Sequence, residues 1–281
     1  MKRKPIEILI TNDDGYTSKG IQFLTDMASN YGNVTVIAPK QVQSGMSAAL
    51  SIGKVLRMEM ISSRVCSNGH RVTVYALSGT PVDCVKMAMN KCFSAGGSES
   101  VEQDEWAGQR GYRPDLVLSG INHGSNASVA SMYSGTLGAA AEGALYGVPS
   151  VGLSITTHDP DPDFTQIGEY VATIIGKALA NAPGEGIYLN VNFPAISREE
   201  IKGIRMACQG NGVWVKEFEQ RKDPNGKDYY WMTGNFSNRE ESEDSIADHL
   251  LVEKGYITIV PHKVDTTCYK TLQQMKKDWN L

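Results

Sequence analysis

The stretch IEILITNDDGYTSKGIQFLTDMASNYGNVTVIA, residues 6–38, decides the class of the fold. It begins with an apolar run over residues 6–11 that stops abruptly at Asn12, Asp13, Asp14 and Gly15. A short apolar run cut off by turn residues reads as a buried strand. From Ser18 to about Asn30, the residues Ile21, Leu24, Met27 and Ala28 recur at spacings of three and four. That spacing puts them on one face of a helix. Gly32 closes the helix, and VTVIA at 34–38 is a second strand. Strand, helix, strand in this order implies a parallel sheet covered by helices.

The same stretch poses a chemical question. Asp13 and Asp14 are adjacent carboxylates at the end of a buried strand. Like charges repel, and each resists leaving water. Either the pair lies idle on a loop, or something positive sits between them.

The alternation continues beyond residue 38. GKVLRMEMI (53–61) and HRVTVYAL (70–77) read as strands, and GTPVDCVKMAMNK (79–91) as a helix. Thr80 suits its N-cap, Pro81 its first position, and Asp83 its positive end, so Asp83 is read as a helix-start residue. DLVLS (115–119) is a buried strand, followed by a loop and the small-residue helix SGTLGAAAEGALYG. SVGLS (150–154), a helix over about 164–181 and IYLNVN (187–192) extend the pattern. Residues 93–112, rich in Gly, Ser and acids, read as a surface insertion.

After about residue 208 the pattern changes. VWVKEFEQ and DYYWMTG flank the turn-rich RKDPNGK, which predicts a long hairpin arm. YITIV is a late strand and CYKTLQQMKKDW a terminal helix. The expected division is a core over 1–208 and a C-terminal arm, strand and helix over 209–281 that serve oligomerisation. Trp214, Tyr229, Tyr230 and Trp231 are expected to pack against a partner subunit, where aromatics are enriched, rather than to stack a nucleobase.

Composition narrows the function classes. The chain has 281 residues, 41% hydrophobic and 21% charged, with a formal net charge of −4. This is the balance of a globular protein, without the basic patch of a nucleic-acid binder. MKRKPIEILI is basic then apolar, but the apolar run is too short for an export signal. No stretch approaches the ~20 apolar residues of a membrane helix. The five cysteines (Cys66, Cys84, Cys92, Cys208 and Cys268) are scattered, with no C-x-x-C. Reduced thiols in a cytoplasmic protein are expected.

Three loops follow three strands of the alternating half. They carry Asn12, Asp13 and Asp14; then Ser44; then Asn122 and Asn126. Ligands of open parallel sheets bind beyond the carboxyl ends of the strands, so these loops can meet. Their shared chemistry is oxygen, which suits a hard divalent cation such as Mg²⁺ or Mn²⁺. Two ionised aspartates would balance its charge. YSGT (133–136) opens a helix, so the amides near Ser134, Gly135 and Thr136 would point at an anion. A simple Ser134 cap is the alternative.

NDDG after the first strand, SG in QVQSGMS, GTPVDC, SGINHGSN and YSGT occur in one order. In this the chain resembles the SurE family of survival proteins, which are metal-dependent nucleotidases. The resemblance covers most of residues 6–154. It implies a Rossmann-like core, a mostly parallel sheet with helices on both faces, whose C-terminal elements exchange or dock between protomers. It also implies that Asp13, Asp14, Ser44 and Asn122 hold one divalent metal, and that nucleoside monophosphates are hydrolysed. Asn12, Gly45, Asn126, Ser134, Gly135 and Thr136 are the expected phosphate and substrate contacts.

The expected enzyme is a 5′-nucleotidase, with 3′-monophosphates as a second substrate class, in a homodimer or homotetramer. Asp13 or Asp14 would orient or deprotonate the attacking water. An aspartyl nucleophile is disfavoured, because haloacid-dehalogenase-like phosphatases separate their two acids by one residue. His123 falls at a variable position of the family motif, so no catalytic role is expected of it. Two rival classes are a receiver-like module and a metal-gated nucleotide sensor. A receiver would be much shorter, and a sensor would release no phosphate.

Overall fold

The computed structural model describes residues 5–93, 113–157, 159, 161–242 and 245–280. The insertion expected at 93–112 lies, Phe93 apart, outside these described residues. The chain opens with β1 (Glu7–Thr11), α1 (Lys19–Ala28) and β2 (Asn33–Pro39), as the stretch 6–38 implies. Ser18 caps α1, its Oγ accepting from the Ile21 amide at 3.4 Å. Ile21, Leu24 and Ala28 are buried, whereas Gln22 and Asp26 face water. Next come β3 (Met58–Val65), β4 (Arg71–Leu77) and α2 (Pro81–Met87). Asp83 caps α2 reciprocally with Thr80: its Oδ2 accepts from the Thr80 amide at 2.9 Å. Then follow β5 (Leu116–His123), α3 (Gly135–Leu145), β6 (Ser150–Thr156), α4 (Gly168–Ala180) and β7 (Ile187–Pro194).

The last quarter holds β8 (Ile204–Met206), β9 (Gly212–Val215), β10 (Phe218–Lys222), β11 (Asp228–Met232) and β12 (Asn235–Asn238). It ends with α5 (Asp248–Glu253), β13 (Ile257–Lys263) and α6 (Tyr269–Asp278). Among the described residues one nine-stranded sheet has the order β3-β4-β2-β1-β5-β6-β7-β13-β8. From β4 to β7 every pairing is parallel. β3 is antiparallel to β4, and β13 is antiparallel to β7. β13 is therefore a strand of the main sheet. Position 208 is not a break in the fold: α5 and β13 return to the core, while the arm and α6 stand outside it.

Both faces of the sheet are covered, because β1 is apolar on both sides. Ile8 and Ile10 join the cluster that includes Leu24 of α1 and Ile174 of α4. Leu9 joins the opposite cluster with Val85 of α2 and Ala139 of α3. All three β1 residues are fully buried, each worth about 1.5–3 kcal/mol. A strand buried on both faces reads as a continuous apolar run, which is the signal in residues 6–11.

Among the boundaries that differ from the sequence reading are those of β3 and β5. β3 begins at Met58 because residues 51–54 make a turn, with the Lys54 amide donating to the Ser51 carbonyl at 3.1 Å. β5 runs four residues past Ser119. Gly120 (φ +133°) breaks the register, and pairing with β6 resumes at Asn122 opposite Ser154. A Cβ at Gly120 would lie 2.3 Å from the Leu153 carbonyl oxygen. The break lets Asn122 sit on the sheet's rim rather than in a free loop.

The arm is a two-tier hairpin, as expected. β9 pairs with β12 at its base and β10 with β11 at its tip, both antiparallel. No helix of the described residues is long and apolar enough to cross a membrane.

Candidate active site

β1 stands where the sheet order reverses. β2 and β4 lie to one side of it, and β5, β6 and β7 to the other. Open α/β sheets hold ligands in the crevice at such a point. A cleft of about 240 Å³ opens there, lined by Asp13, Ser44, Gly45, Asn122, Asn126 and Ser134, with His123, Ala130, Tyr133 and Trp214. The three strand-end loops and the start of α3 therefore meet, though their residues are scattered from 13 to 134. A roomier groove of about 390 Å³ beside α1 and β3 holds the paired Arg64 and Asp26. Size alone does not select the site; converging donors do.

Asp13 is the buried centre of the cleft, only 4% exposed. Its Oδ1 accepts from Thr136 Oγ1 at 2.5 Å. Burial pushes its carboxyl up to about 6, the Thr136 bond opposes that rise, and the charge of Asp14 adds to it. Asp14 turns to His123 instead. Its Oδ2 accepts from the His123 amide at 3.3 Å and lies 3.2 Å from His123 Nδ1. The bond to Asp14 raises the His123 pKa above its usual 6.5. No lysine or arginine of the described residues pairs with either aspartate.

Backbone bonds lock the loops together. The Gln43 amide donates to the Asp13 carbonyl at 2.7 Å, and the Ser47 amide to the Tyr133 carbonyl at 3.1 Å. These bonds bracket the exposed Ser44 and Gly45. Asn122 Nδ2 donates to the Gly124 carbonyl at 2.9 Å, which leaves the side-chain oxygen as its outward end. Ser134 is the N-cap of α3, its Oγ accepting from the Leu137 amide at 3.1 Å, and it also lines the cleft. Gly135 permits close approach: a Cβ there would sit 3.0 Å from Asp13 Cβ and 3.1 Å from its Oδ2.

Asn126 is fixed on every side. Its amide donates to Asn192 Oδ1 at 2.9 Å, its Nδ2 to Ser154 Oγ at 2.8 Å, and its carbonyl accepts from Asn190 Nδ2 at 2.9 Å. Asn192 Nδ2 in turn donates to Asn190 Oδ1 at 3.0 Å. Asn190, Asn192 and Ser154 are fully buried. The sequence reading passed over this network. Its visible signal was Asn190 and Asn192 in IYLNVN, two amides on one side of an apolar strand, which need partners once buried.

Four of the expected residues are not part of the cleft lining: Asp14, which faces His123, and Asn12, Gly135 and Thr136. Asn12 is fully buried and donates to the Gly15 carbonyl at 3.0 Å and Ser18 Oγ at 2.8 Å, shaping the turn that carries the aspartates. Thr136 spends its hydroxyl on Asp13, and Gly135 abuts it.

A family model described as Survival protein SurE matches residues 8–216. The chain belongs to the SurE family. A protein of Cytophaga hutchinsonii named 5′-nucleotidase SurE is 40% identical over 276 residues, covering 98% of this chain and 97% of that relative. A Flavobacterium psychrophilum protein of the same name is 39% identical over 278 residues, covering 99% and 98%. The crystal structure of the SurE protein from Aquifex aeolicus matches with a TM-score of 0.75 at 32% identity, over 96% of this chain and 98% of that one.

The SurE cleft offers oxygen donors for a cation. No three His, Cys, Asp or Glu side chains converge among the described residues. A cation here would take neutral oxygens from Ser44 and Asn122 beside the two carboxylates, a set that fits Mg²⁺ or Mn²⁺ better than a soft-ligand metal. Burial, with a lesser contribution from the Asp14 charge, lifts the Asp13 pKa, and such an ion would favour the ionised carboxylate. Beside Asp13 stands the N-terminus of α3, eleven residues long, which favours negative charge.

Proposed function

We propose that this chain is a metal-dependent 5′-nucleotidase, a phosphomonoesterase that releases phosphate from nucleoside 5′-monophosphates and, as a second class, 3′-monophosphates. The observation that carries this reading is the cleft's charge layout. A buried carboxylate and a helix N-terminus share one cleft in which no lysine or arginine of the described residues is part of the lining. A phosphate dianion beside Asp13 would be repelled unless a cation joined them. Asp13, Asp14, Ser44 and Asn122 would hold that cation, Mg²⁺ or Mn²⁺. When bound it polarises the phosphoryl group and lowers the pKa of a water. The relatives' printed name, 5′-nucleotidase SurE, supports the same activity.

The chain's own residues then divide the work. Ser134, Gly45 and one amide hydrogen of Asn126 would meet the phosphate oxygens near the positive head of α3. Thr136 orients Asp13 through its 2.5 Å bond, and Asn12 shapes the turn beneath. One of the two aspartates would orient the water and take its proton as the water oxygen bonds to phosphorus; the ester P–O bond breaks, and that proton passes on to the leaving nucleoside oxygen. The test is phosphate release from nucleoside monophosphates with and without chelator. Chelation is expected to abolish release, and Mg²⁺ or Mn²⁺ to restore it. Activity that survives exhaustive chelation overturns the metal role. Nucleotide binding without release leaves a sensor instead.

We also read the chain as a homodimer or homotetramer of the cytoplasm. α6 buries none of its residues within the subunit and exposes Tyr269, Leu272 and Trp279. The arm tip likewise exposes Phe218, Tyr230, Trp231 and Met232. Apolar surface of this kind marks an interaction face. All five cysteines are free thiols, which suits a reducing compartment. Deleting residues 266–281 is expected to lower the solution mass measured by light scattering, while the metal-dependent turnover per subunit persists. An unchanged mass removes α6 from the interface.

A further inference from the structure

We propose that Trp214, delivered by the arm, is the platform on which the substrate's nucleobase stacks, so that it sets the preference for nucleotides over base-free sugar phosphates. The inference rests on the nucleotidase reading above and deepens it.

Trp214 belongs to β9, at the base of the arm, eighty residues beyond Ser134 in the chain. It was expected to pack against a partner subunit, yet it lines the same cleft as Asp13, Asn126 and Ser134. Set aside the oxygen donors, Gly45 and His123, and the rest of the lining is Ala130, Tyr133 and Trp214. The cleft thus joins a polar set suited to a phosphate with an apolar and aromatic set that a phosphate does not use. Trp214 remains 40% exposed and Tyr133 57%. Aromatic surface left open beside a ligand cleft has a use once a flat apolar ring covers it.

The indole is also braced. Trp214 stands opposite Phe236 in the β9–β12 pairing, edge-on to it at 6.0 Å and 76°. Phe236 meets the His249 ring edge-on at 5.2 Å, and His249 Nε2 lies 2.9 Å from Asn238 Oδ1. The ring is therefore fixed from behind by the hairpin and α5, as a stacking surface needs. Every base offers a π-face, so such a platform favours nucleotides without choosing among them. Among the described residues no lysine, arginine or glutamine lines the cleft to read base edges.

The test compares AMP with ribose 5-phosphate on the full chain in saturating Mg²⁺ or Mn²⁺. Wild-type protein is expected to favour AMP through KM. In Trp214→Ala the KM for AMP should rise roughly tenfold, within the range of losing one stacked base, with kcat little moved. The ratio of kcat/KM for AMP to that for ribose 5-phosphate should fall by the same factor, and Trp214→Phe should restore most of it. A parallel loss on both substrates, or no change on either, overturns the platform. A wild-type protein that treats the two substrates alike also overturns it and leaves the phosphatase reading standing. If wild-type protein releases phosphate from neither, the nucleotidase reading itself falls.

Discussion

Asp13→Asn is expected to lower kcat by at least ~10²-fold, the scale of losing a preorganised electrostatic contact, while stabilising the chelated protein. Both effects have one cause. Asp13 is almost fully buried, and burial together with Asp14 raises its carboxyl from 3.8 to about 6. A carboxyl with a raised pKa in the folded state binds its proton more tightly there than in the unfolded chain. Between about pH 4 and 6 the folded state therefore holds more protons, and stability falls as pH rises through that window. Above it, the ionised side chain costs the metal-free fold on the order of 3 kcal/mol.

Asparagine removes that cost and still accepts from Thr136 Oγ1, so the 2.5 Å bond survives. Urea titrations in chelator are the measurement. The wild-type midpoint should drop between about pH 5 and pH 8 relative to that of Asp13→Asn, and the variant should be the more stable at the upper value. Saturating metal should stabilise only the wild type, by mass action. Near-wild-type turnover of Asp13→Asn in saturating metal removes Asp13 from the reading. Identical pH dependence in the two proteins removes its buried charge from the stability argument. A site that costs stability until it is loaded is the trade expected of functional residues.

How much of this was legible beforehand depends on whether a feature is local. The β1–α1–β2 unit is written in spacing: Ile21, Leu24 and Ala28 face the core because helix period and sequence agree. The meeting of Asp13, Ser44, Asn122 and Asn126 was also legible, since a parallel sheet sends its strand-end loops to one rim. The extension of β5 was not. It depends on one glycine at positive φ whose Cβ would strike Leu153, a contact between strands that no local pattern shows. The place of Trp214 in the cleft lining was not legible for a similar reason. An aromatic strand pair reads the same whether it faces a partner or a cleft, and the path of the arm is set by contacts at its root.

One of those contacts carries the second large effect. Asp248→Ala is expected to destabilise the protein by about 3–5 kcal/mol, the cost of stripping a buried charge-assisted network. Asp248 is fully buried at the head of α5. Its carboxylate accepts from the amides of Ser128 (3.0 Å to each oxygen), Gly210 (3.0 Å) and His249 (2.8 Å). These amides lie on the β5–α3 loop, at the root of the arm and on α5, so one side chain ties three segments. Alanine would leave all three donors buried and unpaired. Asp248→Asn keeps the oxygen that Gly210 and His249 use, and should cost about 1–2 kcal/mol.

The functional consequence separates this residue from an ordinary core contact. Ser128 lies two positions past Asn126, and Gly210 four before Trp214. Loosening both should raise KM for a nucleoside monophosphate in Asp248→Ala at temperatures where the variant remains folded, with the Asp13–Thr136 pair untouched. Chemical denaturation and steady-state kinetics on the same sample measure the two effects. A variant with an unchanged denaturation midpoint would show that the three amides find other acceptors. A destabilised variant with unaltered KM would show that the tie holds the fold together without aiming the cleft. The expected pattern, lost stability with a weakened grip on substrate, follows from one carboxylate lying where the arm, the loop and the helix cross.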